Sequence, residues 1–175
     1  MPIRSRIRTI PHYPKKGVMY RDITTLLKDP VGLRVAIDEL ASRYRDMDID
    51  KVASIESRGF IVGAPLAYIL GKGFIPVRKK GKLPWETIGH DYELEYGMDR
   101  IEIHTDAIEQ GERVLLVDDL IATGGTAEAA CTLIEKIGGQ IVECCFIVDL
   151  PDIGGRSRLE GNGRKVFALC AFEGD

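Results

Sequence analysis

Between Val114 and Thr126 the sequence reads VLLVDDLIATGGT, which sets two adjacent carboxylates, Asp118 and Asp119, between an apolar run and a glycine pair. The run RVLLVD has the continuous apolar character of a strand buried on both faces of a parallel sheet. The aspartates then fall at its carboxyl end, where open α/β folds bind their ligands. The segment Ala122, Thr123, Gly124, Gly125, Thr126 follows and opens a helix. Its small residues let successive backbone N–H groups turn towards one anion, the helix N-terminus adds partial positive charge, and the threonine hydroxyls add donors. The pattern is not a P-loop, whose lysine is missing, nor a G-x-G-x-x-G dinucleotide loop. The plainer alternative is a glycine-rich turn whose aspartates cap backbone donors. Carboxylates beside a phosphate cradle need a partner of their own. Two neighbouring acceptors suit the two hydroxyls of a ribose whose 5′-phosphate lies on the loop.

Such a site needs a sheet to carry it, and the rest of the chain supplies one. PVGLRVAIDELASRYRD spaces Leu33, Ile37, Leu40 and Tyr44 three and four apart, which predicts a helix with one apolar face. KVASIESRGF reads as a short strand running into a turn, and FIVGAPLAYILG as a small-residue helix closed by Gly71. FIPV, RIEIH, IVECCFIVDL and KVFAL read as further strands. TAEAACTLIEKIGG reads as a helix with Ala130, Leu133, Ile134 and Ile137 inward. Strand and helix in alternation predict a doubly wound α/β sheet. Residues 1–28 read as an irregular lead-in punctuated by proline and glycine, and RKKGKLPWETIGHDYELEYG as a polar excursion long enough for a lid.

At 175 residues the chain is expected to be one domain, 1–175, able to bury about 70% of its unfolded surface. Hydrophobic residues at 45% and charged residues at 29% match an ordinary soluble globular protein. The net charge of −3 offers no case for nucleic-acid binding, and no apolar run reaches membrane-spanning length. The basic start MPIRSRIRTIPHYP lacks the apolar core of a signal peptide, so a cytoplasmic location is expected. Cys131, Cys144, Cys145 and Cys170 form no C-x-x-C pair and read as reduced core residues.

VLLVDDLIATGGT resembles the phosphoribosyl-diphosphate motif of the type I phosphoribosyltransferase family. PHYPKKGVMYRDITTLLKDP, IESRGFIVGAPLA, RKKGKLP and YELEYG narrow the resemblance to members that act on adenine, over about Ile7 to Leu150. The resemblance implies a Rossmann-like α/β fold, a mainly parallel sheet flanked by helices, with an N-terminal hood (1–28) and a flexible lid loop (79–100). It implies transfer of a phosphoribosyl group from 5-phosphoribosyl 1-diphosphate to adenine, with Mg²⁺ as cofactor, in a homodimer whose sites are composite. Asp118 and Asp119 would hold the ribose hydroxyls and see the metal only through sugar or water, while Ala122, Thr123, Gly124, Gly125 and Thr126 hold the 5′-phosphate.

Arg58, in ESRGF, would fork onto the pyrophosphate; its plainer reading is a surface ion pair with Glu56. Arg78 and Lys82 correspond to positions near the pyrophosphate, although a run of four cations in five residues ordinarily marks a solvated face. The backbone of Met19 and Arg21 would pair with the base, Tyr20 would stack on it and Leu120 would pack on its other side. That backbone pattern suits adenine and leaves groups unpaired against a 6-oxopurine. Glu95 is the candidate for handling the proton on adenine's imidazole ring, and Tyr96 for shielding the pyrophosphate end. His12, His90 and His104 read as non-catalytic. The rival readings are a transferase for another purine, which the GVMYRD hood disfavours, and a non-catalytic nucleotide-sensing regulator, which lacks a basic face or appendage here and would not need Glu95. The C-terminal PDIGGRSRLEGNGRKVFALCAFEGD carries no motif used in this reading.

Overall fold

A computed structural model describes residues 3–93 and 97–174 of the chain. The lead-in is more regular than its proline and glycine content predicts. A 3-10 turn (Ile3–Arg6) is followed by an antiparallel pair, β1 (Arg8–Pro11) and β2 (Met19–Asp22), and by the short helix α1 (Thr24–Leu27). Proline is tolerated here because a two-stranded ribbon consists only of edges. The buried Ile7, Ile23 and Leu26 anchor this hood to the body, and Asp22 locks its corner. One Asp22 oxygen accepts from the Thr24 N–H at 2.9 Å, and the other is paired with the Arg8 guanidinium.

The helix predicted after Pro30 is α2 (Pro30–Tyr44). Asp29 caps it by accepting from the Val31 N–H, and Pro30 occupies its first turn. Ile37, Leu40 and Tyr44 are buried as their spacing demands, while Leu33 is only partly covered. Seven strands make the main sheet: β3 (Lys51–Ile55), β4 (Gly73–Lys79), β5 (Thr87–Glu93), β6 (Met98–His104), β7 (Arg113–Ile121), β8 (Gln140–Asp149) and β9 (Val166–Ala171), in the order β5-β6-β4-β3-β7-β8-β9. The pairs among β4, β3, β7, β8 and β9 are parallel, and β5 and β6 add an antiparallel edge. Much of the polar excursion expected as a lid loop is thus hairpin, since Ile88 and Tyr92 pair into the β6 register opposite Ile103 and Asp99. The alternation of RIEIH marks β6, whereas β5, with Tyr92 as its buried residue, is concealed because it covers little core.

Alternation along the central strands feeds two cores. Val52, Leu115, Val117 and Cys145 face α2 and α3 (Arg58–Leu70), whereas Ala53, Leu116, Cys144 and Phe146 face α4 (Gly125–Lys136). Helix α3 closes on Gly71 in the left-handed conformation, as its sequence predicts. Beyond β8 lie a 3-10 turn (Pro151–Ile153) and the short helix α5 (Gly155–Gly161). With Gly155 and Leu159 as its buried residues, α5 has no apolar stripe to announce it. Cys131, Cys144 and Cys145 are buried free thiols and Cys170 is half-buried; burial pushes the Cys145 thiol up to about 12.

The chain leaves β3 through α3 to reach β4 on one side, and leaves β7 through α4 to reach β8 on the other. The direction of winding therefore reverses between β3 and β7, and the carboxyl ends of these two strands flank the crevice.

Asp22, hydrogen-bonded by Arg8 and Thr24, has its carboxyl lowered from 3.8 to about 2. A depressed acid stabilises the fold above its ordinary pKa and loses that contribution as pH falls through the folded-state value. Asp22→Asn is expected to be less stable than the parent in urea titrations at about pH 6, with the gap closing by about pH 2. Equal stabilities at the higher pH would rule out this role.

Candidate active site

At the end of β7 the two aspartates differ in environment, although both reach the same cavity. Asp119 is 5% exposed. Its Oδ2 accepts from Arg58 Nε at 2.6 Å, and Arg58 Nη1 reaches the Tyr20 hydroxyl at 3.1 Å. Asp118 Oδ1 accepts the Asp119 backbone N–H at 2.9 Å. Its carboxylate lies against the first turn of α3, and only glycine leaves room there: a Cβ on Gly59 would stand 2.7 Å from Asp118 Oδ1. Burial first, and the neighbouring Asp119 charge second, push the Asp118 carboxyl well above the ordinary carboxylate range. Both aspartates line a cavity of about 510 Å³ together with Arg58, Lys79, Lys82 and Thr126.

The loop from Ala122 to Thr126 borders a second, smaller cavity of about 130 Å³. Gly124 sits in the left-handed region at φ 78°, which turns the chain from β7 into α4. A third cavity, about 590 Å³ and largely apolar, opens beneath the hood. Met19, Tyr20 and Arg21 line one side, and Leu120, Leu150 and Ile153 the other. Tyr20 is steadied by an edge contact with Tyr13, ring centres 5.2 Å apart. The three cavities are neighbours with shared walls: Asp118 and Thr126 border the first and second, Leu120, Ala122 and Thr123 the second and third, and Arg58 the first and third. Such an arrangement can take one elongated ligand with an anionic group on the loop, hydroxyls on the aspartates and a flat apolar group under the hood.

Arg58 therefore does not form the ion pair with Glu56 that was its plainer reading. Glu56 goes instead to Arg78, whose Nε and Nη2 donate to Oε2 at 3.1 and 2.9 Å, and to the Lys79 N–H. Arg78 Nη1 donates to the Lys82 carbonyl at 3.2 Å, so Arg78 lies behind the cavity, while Lys79 and Lys82 line it. The peptide between Glu56 and Ser57 is cis.

The sequence assigned no site role to five lining residues, Lys79, Tyr92, Asp99, Leu150 and Ile153. Lys79 pairs with Asp99 at 3.0 Å, and the Tyr92 hydroxyl donates to Asp99 at 3.2 Å. The cation run contained Lys79, but only strand alternation decides which of its cations faces the cavity. Leu150 and Ile153 were missed because they follow the motif in sequence and meet it only across the end of β8. Glu95 and Tyr96 lie outside the described residues. Among the histidines, His12 Nδ1 accepts from the Gly17 N–H, and His90 borders an outer cavity beside Asp91. Neither these nor His104 line the three neighbouring cavities.

Residues 23–159 match the family model described as the phosphoribosyl transferase domain, and the chain belongs to that family. Within it the likeness is to adenine phosphoribosyltransferases. The one from Nitrosospira multiformis is 74% identical over 175 residues, covering all of both chains. The crystal structure of the Thermoanaerobacter pseudethanolicus adenine phosphoribosyltransferase superposes with a TM-score of 0.92 at 48% identity, over 97% of this chain and 98% of that one. The Saccharomyces cerevisiae adenine phosphoribosyltransferase, solved with adenine and an imino-altritol bisphosphate, gives 0.89 at 38% identity, over 96% of each chain.

An acid whose pKa is raised by folding destabilises the fold once pH exceeds its ordinary value, so Asp118 costs stability at neutral pH. Asn keeps the acceptor for the Asp119 N–H without the buried charge. Asp118→Asn is expected to raise the melting temperature near pH 7 by about 2–4 °C, equivalent to roughly 1 kcal/mol in a chain of this size, and by less near pH 4. A lowered midpoint in calorimetry at neutral pH would contradict this assignment of the charge.

Proposed function

We propose that the protein transfers the 5-phosphoribosyl group of 5-phosphoribosyl 1-diphosphate to adenine, giving AMP and diphosphate in purine salvage. The observation that carries the reading is the set of three neighbouring cavities that share Asp118, Thr126 and Arg58 as wall residues. In this reading the loop Ala122–Thr126 holds the 5′-phosphate through backbone N–H groups and the hydroxyls of Thr123 and Thr126. Asp118 and Asp119 accept from the ribose hydroxyls. Arg58, now on Asp119, turns its free donors to the diphosphate, joined by Lys79 and Lys82. Arg78 acts at one remove, holding the Lys82 carbonyl while braced by Glu56.

Adenine lies under the hood between Tyr20 and Leu120. Met19 and Arg21 lie on β2 and line the third cavity, where their backbone groups would meet the base. As the bond from the anomeric carbon to diphosphate oxygen lengthens, positive charge grows on the sugar and negative charge on the leaving group. The adenine nitrogen closes on the same carbon, and Glu95 takes the proton this nitrogen gives up. Tyr96 shields the pyrophosphate end. Catalysis rests on position and on charge stabilisation of the leaving group, with no protein nucleophile.

Among the described residues no cluster of three or more His, Cys, Asp or Glu side chains is disposed to cage a cation. That donor set fits Mg²⁺ carried chiefly by diphosphate and ribose oxygens and by water, near Asp118 and Asp119. Bound there, Mg²⁺ supplies neutralisation of the diphosphate charge. A homodimer is supported by the outward face of α3, where Ile61, Tyr68 and Ile69 are exposed beside Phe74 of β4. No helix of the described residues is long and apolar enough to cross a membrane, and a cytoplasmic location accords with the reaction's substrates.

The reading is tested by AMP formation from adenine, phosphoribosyl diphosphate and Mg²⁺, run beside hypoxanthine at equal concentration. A preference for hypoxanthine would sink the adenine assignment. Replacing both Asp118 and Asp119 by Asn is expected to lower turnover by at least ~100-fold through lost stabilisation of charge at the sugar, and near-normal turnover would refute their role. Tyr68→Glu buries a charge in the proposed dimer face, so sedimentation is expected to show monomer where the parent sediments as a dimer. An unchanged sedimentation coefficient would move the interface elsewhere.

A further inference from the structure

We propose that Gly155, in the C-terminal segment, is a positioning residue for the 5′-phosphate loop: it holds the loop backbone in its anion-binding conformation from behind. The inference rests on the phosphoribosyl reading above and extends it to a segment that carried no motif. The Gly155 N–H donates to the Ala122 carbonyl at 2.9 Å. The peptide between Ala122 and Thr123 is trans and planar, so its C=O and N–H point in opposite directions. Fixing the Ala122 carbonyl towards α5 therefore aims the Thr123 N–H away from α5. One hydrogen bond made outside the cavity sets the direction of a donor in the loop that borders it.

The contact is made backbone to backbone, and it leaves no room for a side chain. A Cβ on Gly155 would stand 2.3 Å from the Ala122 carbonyl oxygen and 2.7 Å from the Gly124 nitrogen. From the other side, a Cβ on Gly124 would stand 2.9 Å from the Gly155 carbonyl oxygen. Two glycines, 31 positions apart by their numbers, are thus pressed together by the fold. Neither obstacle is the tip of a flexible side chain, so any added atom must shift the backbone of the loop or of α5, which the hydrogen bond couples.

The far side of α5 is tied to the helix that the loop opens. Arg158 Nε donates to Glu128 Oε2 at 2.5 Å, and Asn162 donates to the other oxygen of the same carboxylate. Glu128 lies in the first turn of α4, so loop and helix start are held together from one external element. At the entry, the Leu150 N–H donates to the Ile121 carbonyl at 3.1 Å. Gly161 at the end of α5 supplies a contrast, because an added Cβ there meets nothing within 4 Å.

The test compares Gly155→Ala with Gly161→Ala in steady-state kinetics, with thermal unfolding in parallel. A displacement of the loop by about 1 Å is expected to raise the KM for phosphoribosyl diphosphate at least ~10-fold, and well beyond any rise in the KM for adenine. Gly161→Ala is expected to stay within about twofold of the parent in both. A purely structural role would lower the melting temperature and leave the ratio of the two KM values unchanged, and that outcome overturns the proposal. Titration with ribose 5-phosphate, followed by calorimetry, gives a readout independent of turnover. If the parent makes no AMP, the reaction assignment fails, yet weaker ribose 5-phosphate binding by Gly155→Ala than by the parent still supports the brace. Equal binding, or none by the parent, overturns it. Should Gly155→Ala not fold, Glu128→Ala severs the outer tie and is expected to raise the same KM by about two- to fivefold; an unchanged value overturns the proposal.

Discussion

The ion pair between Arg58 and Asp119 is the interaction on which the arrangement of the crevice depends. Two carboxylates stand side by side at the end of a strand whose preceding residues are fully buried. Taking such charges out of water costs several kcal/mol each unless they are compensated. The compensation comes from a neighbouring strand: Arg58 follows β3 and opens α3, and β3 is the parallel neighbour of β7. The same guanidinium reaches the Tyr20 hydroxyl in the hood. One side chain thus links the strand that carries the acids, the strand beside it, and the N-terminal ribbon over the third cavity. Among the described residues Asp118 makes no ion pair, and burial and the neighbouring Asp119 charge outweigh the Asp119 N–H and Arg58 to push its carboxyl up. Active sites retain such costs where charge is needed for chemistry.

Around this pair the fold brings backbones closer than side chains would allow. Gly59 lets Asp118 lie against α3, and Gly124 and Gly155 let the phosphate loop and α5 share a hydrogen-bonded contact. These positions come from three separate parts of the chain and converge on the ends of two adjacent strands. The reversal of winding between β3 and β7 is the reason. It opens a gap in the helical cover at that point, and the loops that follow both strands fill its walls. The hood then roofs the gap, with Asp22 holding its corner and Tyr20 its edge.

Much of this was legible in the residues. The strand run before Asp118, the helix after Thr126, the stripe of α2 and the stop at Gly71 follow from periodicity and from φ requirements, both of which act over a few residues. The adjacent carboxylates at the strand end and the glycine turn after them could be read for the same reason, since they share one short segment. Other features lacked a local signal. Strand β5, unlike the alternating RIEIH of β6, has Tyr92 as its buried residue and covers little core, so its alternation is faint. Helix α5 buries one glycine and one leucine, too little to give a stripe. Which partner a charge takes was equally hidden: Glu56 lies two residues from Arg58 in sequence, yet it is held by Arg78 across the β3 and β4 pairing.

By itself, then, the sequence determined the alternation of strand and helix, the location of the carboxylates at a strand end and the glycine-rich turn that leads from them into a helix. These depend on side-chain type and spacing within a window of a dozen residues. Tertiary structure alone decided that, among the described residues, Asp119 takes the Arg58 ion pair and Asp118 does not, that Lys79 rather than Arg78 lines the cavity, and that Gly155 sits behind the loop that follows β7. Each of those outcomes depends on distances between segments tens of residues apart, and such distances are set by sheet order and packing, which no short stretch of the chain encodes.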